Sequence, residues 1–150
     1  MREQFTTALK EAMKAGDKRR ISTVRLITAA LKDRDIEART AGKEPLGDEE
    51  ILGLLQKMIK QRQESQKIYQ ENARPELAEQ EGEEIAIIMS FMPKQMDDAE
   101  VSSAIDGVIA ETGAAGMKDM GKVMAALKER YAGKMDFGRA SAAIKAKLQG

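Results

Sequence analysis

Neither cysteine nor histidine occurs in this chain of 150 residues. Their absence removes disulfides, thiolate nucleophiles, imidazole bases, Cys/His zinc sites and haem attachment in one step. Tryptophan is also absent, and three Phe and two Tyr are the only aromatic residues. The core must therefore come from Leu, Ile, Val, Ala and ten Met, a helical recipe. No stretch approaches the ~20 apolar residues that span a bilayer, and the charged, amphipathic N-terminus lacks the apolar centre of a secretion signal. The expectation is a soluble cytoplasmic protein without membrane contact. Net charge does not lean either way, with 25 basic and 25 acidic residues, so only their distribution can speak for or against nucleic acid.

Apolar spacing predicts helices throughout. Phe5, Ala8, Leu9, Ala12 and Met13 fall on one helical stripe that Gly16 ends. Beyond Asp17, a good N-cap type, Ile21, Val24, Ile27, Ala30 and Leu31 define a long basic second helix to about Arg39. A Gly- and Pro-containing loop, Thr40 to Gly47, follows. A third helix opens on Asp48, Glu49 and Glu50 and ends in the polar tract Lys60 to Gln70. A fourth starts at Pro75, runs through acids to the apolar segment Ile85 to Met92, and is closed by Pro93. Asp97 with Glu100 forms a capping box, and Met96 with Val101 a hydrophobic staple, at the start of a fifth helix. Two shorter helices, about Asp119 to Tyr131 and from near Asp136, complete the chain. The fold class expected is all-α. A bundle of about four helices occupies 1–92 and a small three-helix unit occupies 97–150. No internal repeat stands out.

Charge is unevenly spread. Residues 118–150 carry eight basic side chains against three acids, and residues 93–117 one against five. Residues 10–39 carry nine basic side chains against five acids. Cations gathered on one helix face bind phosphate; the same cations spread over outer faces only keep amphipathic helices in water. Gly121 sits where a helix interior should begin, a position that costs about 1 kcal/mol relative to Ala. Either another helix packs against it, or its bare backbone lets a phosphate approach, with Lys118 and Lys122 alongside. The tract Lys60 to Gln70 suits a partner, an exposed helix or a polar bundle seam. Glu79, Glu81, Glu83 and Glu84 fit a solvated acidic face better than a metal site. Ser90 and Lys94 do not make a credible Ser–Lys pair with Pro93 between them.

The strings TVRLITAALKDRDIEAR, KQRQESQKIYQENARPELAEQEGEE, FMPKQMDDAEV and DMGKVMAALKERYAGKMDFGRASAAIKAKL resemble the GatB/YqeY family over nearly the whole chain. The full length looks like the free-standing YqeY-like proteins. Residues 97–150 are similar to the tail of the B subunit of the tRNA-dependent amidotransferase, which is associated with gripping the tRNA elbow. The resemblance implies an N-terminal bundle joined to a three-helix unit, and brings the family label of carbon–nitrogen ligase with glutamine as amide donor. That chemistry needs large nucleophile and nucleotide domains, and no amidase loop, P-loop or G-x-G-x-x-G is present here. The reading is a non-catalytic accessory to tRNA, without cofactor or metal. Its expected RNA contacts are Lys118, Lys122, Lys128 and Arg139. The alternative is a module that docks on an aminoacyl-tRNA synthetase or amidotransferase complex.

Overall fold

Local signals at helix ends decide where each element of this chain begins and stops. The computed structural model describes residues 1–149. Among them are seven α-helices: α1 (Arg2–Ala15), α2 (Lys18–Thr40), α3 (Asp48–Glu71), α4 (Pro75–Met89), α5 (Asp98–Thr112), α6 (Met120–Tyr131) and α7 (Phe137–Gln149). One 3₁₀ turn, Met117–Asp119, leads into α6. The protein is all-α, as its composition demands. Gly16 closes α1 in the left-handed conformation, at φ 68°, a region costly for a residue with a Cβ. The Asp17 carboxylate then accepts the Arg20 N–H at 3.1 Å and starts α2. At α5 the capping box is complete, with Glu100 N–H to Asp97 Oδ1 at 2.8 Å and Asp97 N–H to Glu100 Oε1 at 3.2 Å.

The described chain divides into two compact units, 1–92 and 93–150. In the first, α1 and α2 form one antiparallel pair and α3 and α4 another, and α2 also packs on α4. Phe5, Val24, Ile27, Leu55 and Ile88 are buried at their common centre. Phe91 meets Phe5 edge to face at 5.0 Å, and the Arg20 guanidinium lies over the Phe91 ring at 5.4 Å. The run Ile85 to Met92 is helical up to Met89, with Ile88 fully buried and Met89 exposed. Its density of apolar residues comes from serving several neighbours, not from complete burial.

The loop after α2 is better anchored than its Gly and Pro content suggests. Leu46 is buried. Asp35 accepts the Arg2 guanidinium through both oxygens, at 2.7 and 2.8 Å, and the Leu46 N–H at 3.0 Å, while Arg2 also donates to the Leu46 carbonyl at 2.9 Å. A bidentate pair thus fastens the start of α1, the last part of α2 and the loop together.

In the second unit, Ile105, Val108, Val123, Leu127 and Ile144 form a separate core between α5, α6 and α7. Its packing begins before the capping box. The Met96 N–H donates to the Lys134 carbonyl at 2.9 Å and Gln95 Nε2 to the Gly133 carbonyl at 2.6 Å. Residues 93–96 therefore belong with this unit, where the sequence suggested a start at 97.

Candidate nucleic-acid interface

The loop between α5 and α6 sets the position of the first two candidate cations. Gly113 ends α5 with φ 67°. The Asp119 carboxylate then turns back to accept the Ala115 N–H at 3.0 Å, and the Asp119 N–H donates to the Gly116 carbonyl at 3.0 Å. The Met120 N–H is taken by the Met117 carbonyl. A 3₁₀ turn thus runs into α6, so helical structure begins at Met117, two residues earlier than the sequence implies. Lys118 is in that turn and Lys122 in the first turn of α6. The Ala115 N–H first, and then the positive charges of Lys118 and Lys122, hold the Asp119 carboxyl below the usual carboxylate range. These two lysines are brought together, but around an acid.

Gly121 is exposed, and a Cβ built there would meet nothing within 4 Å. Helix packing is therefore not the reason for this glycine. Gly138 has a local one. The Asp136 carboxylate accepts the Gly138 N–H at 2.8 Å to cap α7, and a Cβ would come within 3.1 Å of that oxygen.

Lys128 lies six residues beyond Lys122, which places it about 120° round α6. The two do not share a line of approach. Arg139 is exposed in the first turn of α7, where it and Lys134 border a cleft of about 370 Å³ whose apolar lining includes Val101, Met135 and Ala143. The four expected contacts therefore fall into three places: the Lys118–Lys122 pair, Lys128 alone, and Arg139 beside Lys134.

Lys134 and Lys145 are exposed cations that sequence reasoning passed over. A signal for Lys145 was present. Residues 120–131, MGKVMAALKERY, align without gaps with residues 137–148, FGRASAAIKAKL. Gly121, Ala125, Ala126 and Lys128 recur as Gly138, Ala142, Ala143 and Lys145, and Lys122, Leu127 and Arg130 are matched by Arg139, Ile144 and Lys147. The match corrects the expectation of no internal repeat. It also shows which cations are structural: Arg130 pairs with Glu111 and Lys147 with Asp106, both on α5. Leu127 and Ile144 are both fully buried. Equivalent positions carry equivalent tasks.

Elsewhere the acidic segment of α4 is not uniformly solvated. Glu84 is 8% exposed, and its carboxylate accepts Arg62 Nε at 3.0 Å with Arg19 Nη1 at 3.9 Å. Burial, and then the charge of Glu84, raise the Glu81 carboxyl above its ordinary value. The polar tract of α3 is in part a seam: Arg62 serves Glu84, and Gln66 Nε2 donates to the Ala78 carbonyl at 3.3 Å. The Ser90 hydroxyl donates to the Ile87 carbonyl. Among the described residues no group of three or more carboxylates is arranged to hold a metal ion, and no helix is long and apolar enough to cross a membrane.

These features define a class first: an all-helical protein of two compact units with exposed basic residues on the second. The family follows from comparison. The chain matches the model of the Yqey-like protein family over residues 2–148, and it belongs to that family. It is similar to a protein of the yeast Vanderwaltozyma polyspora named Altered inheritance of mitochondria protein 41, mitochondrial. The two are 29% identical over 119 residues, 75% of this chain and 62% of the yeast protein. The protein of the same name from Lachancea thermotolerans is 31% identical over 105 residues, 69% of this chain and 54% of that one. The chain thus spans a little over half the length of the curated relatives it matches.

Proposed function

We propose that this protein is a non-catalytic accessory that binds the backbone of tRNA through α6, α7 and the turn before them. One observation carries the reading. Of the eight basic residues from Lys118 to Lys147, only Arg130 and Lys147 form ion pairs; Lys118, Lys122, Lys128, Lys134, Arg139 and Lys145 have no carboxylate within 4 Å among the described residues. Cations tied to α5 hold the fold; cations left in water are available to phosphate. The likeness of residues 97–150 to the amidotransferase tail supports tRNA as the RNA class, and Gly121 keeps the surface beside Lys122 low. The carbon–nitrogen ligase label belongs on this reading to the larger amidotransferase. We take the place of work to be the cytoplasm, where tRNA is charged; the word mitochondrial stands in the relatives' names.

Tests follow from the charge. Each contacting lysine removed should lower the slope of log affinity against log salt by about one unit, and about equally for different RNA sequences. Lys122→Glu should weaken tRNA binding more than Lys32→Glu on α2, with helical circular dichroism unchanged. Gly121→Ala should raise the melting temperature, because alanine gains up to about 1 kcal/mol in a helix and meets no neighbour here. It should also weaken tRNA binding, by filling the space beside Lys122. Equal losses from Lys122→Glu and Lys32→Glu would replace the site with diffuse attraction. No gel shift at low salt would end the proposal.

A further inference from the structure

An open groove lies on the first unit. It is about 800 Å³ in volume, bordered by the end of α1, the first half of α2 and the middle of α4. Met13, Ile21 and Leu26 line it, with Met13 55% and Leu26 45% exposed. Isolated apolar residues on a surface are ordinary; here three share one concavity with unpaired cations on its rim. Its unpaired charge is of one sign. Among the described residues Lys18 and Arg25, on the rim, form no ion pair, whereas Arg19 is held by Glu83 at 3.1 Å and the acid that reaches the groove, Glu84, is paired with Arg62 at 3.0 Å.

We propose that this groove docks an acidic amphipathic helix of a partner protein. The spacing of the rim cations supports it. Lys18 and Arg25 are seven residues apart, hence on the same side of α2 and about 10 Å apart along it. Two carboxylates at i and i+7 of a bound helix have the same separation; its apolar residues at i+3 and i+4 would then lie level with Ile21, and one at i+8 beside Leu26. Methionine suits this use because its unbranched side chain adapts to the shape laid on it. Phosphate backbone would meet Lys18 and Arg25 but leave the apolar lining in water, and among the described residues no aromatic ring lines the groove for a base to stack on. The groove lies wholly in the first unit, away in sequence from the basic repeats of α6 and α7, so the proposal stands independently of RNA binding.

The test is selection of 16-residue peptides from a random display library on the full chain, followed by fluorescence anisotropy with the enriched peptides. Enrichment of helices with Asp or Glu seven apart around an i, i+3, i+4 apolar stripe is expected. Leu26→Glu should weaken the selected peptide at least about tenfold, and Arg25→Glu should do so in a salt-dependent way. Both positions are exposed, so unchanged circular dichroism and melting temperature should accompany the loss. Lys122→Glu should leave peptide affinity intact. Enrichment of basic peptides, or equal binding to the Leu26→Glu chain, would overturn the proposal. So would concentration-dependent dimers in sedimentation that Leu26→Glu abolishes, which would make the groove a contact between copies. Competition of tRNA for the groove, abolished by Arg25→Glu, would equally overturn it.

Discussion

Thr23 and Asp35, on the same helix, are two polar residues under opposite conditions. Thr23 is fully buried on the core face of α2, and its hydroxyl has no hydrogen-bond partner among the described protein groups. A buried hydroxyl without a partner carries its desolvation cost uncompensated. Thr23→Val keeps the shape and the β-branch and removes that cost, so it should stabilise the protein by about 1 kcal/mol in urea unfolding. Asp35 is fully satisfied. The Arg2 guanidinium first and the Leu46 N–H second lower its carboxyl from the ordinary 3.8 to about 2. Because the folded value is depressed, its contribution is complete above pH 3.8 and is lost as the pH falls from there through 2. The acid limb of the stability profile should therefore shift in Asp35→Asn: less stable than the parent at neutral pH, with the difference shrinking towards pH 2. A constant difference across that window would show that Arg2 and Leu46 do not act through the charge.

At the scale of elements, the seam between α3 and α4 combines an apolar half with a polar one. Leu54, Leu55 and Met58 are buried along α3, and one to two turns further on Arg62 and Gln66 face α4 instead. Removing one member of a buried pair leaves the other charge without compensation. Arg62→Met should thus destabilise the protein by about 2–3 kcal/mol, somewhat below the usual range because Arg19 stays near Glu84. Combining it with Glu84→Gln should restore part of the loss, whereas additive losses would mean that packing, not charge, was removed. This seam is where the sequence left matters open. The tract Lys60 to Gln70 is compatible with water, RNA or a neighbouring helix until the neighbour is known. Glu84 likewise reads as one acid among five in α4.

For the molecule as a whole, the two units have separate cores, and the chain between them passes through Phe91 to Met96. We propose that they fold as distinct domains. Lys43, in the loop after α2, and Lys94 are both exposed, so brief trypsin treatment should cut first after these residues, leaving fragments close to 1–43, 44–94 and 95–150. The bonds around Leu46 should resist because Arg2 and Asp35 hold that residue. Two separable unfolding transitions should accompany the boundary, and a single cooperative loss of both units at every urea concentration would remove it.

Local order was legible because it rests on short-range physics. Helix spacing, the Asp17 and Asp97 caps, the glycine stops and Pro75 each act within one turn, so composition and pattern alone determined an all-helical chain and most helix ends. The family was legible too, since its strings run through the entire sequence. The candidate site was less so. Six basic residues of the second unit differ from Arg130 and Lys147 only in what α5 places opposite them. No pattern within α6 or α7 states which cations Glu111 and Asp106 occupy, although the repeat of α6 in α7 marks them as equivalent. Gly121 is the clearest case. Its cost to a helix is a local fact, but whether a neighbour fills the space beside it depends on residues distant in sequence, and only the tertiary structure shows that space to be open. Charge balance, groove and seam are products of long-range packing, in which the same side chain is solvated, paired or buried according to what the fold brings against it.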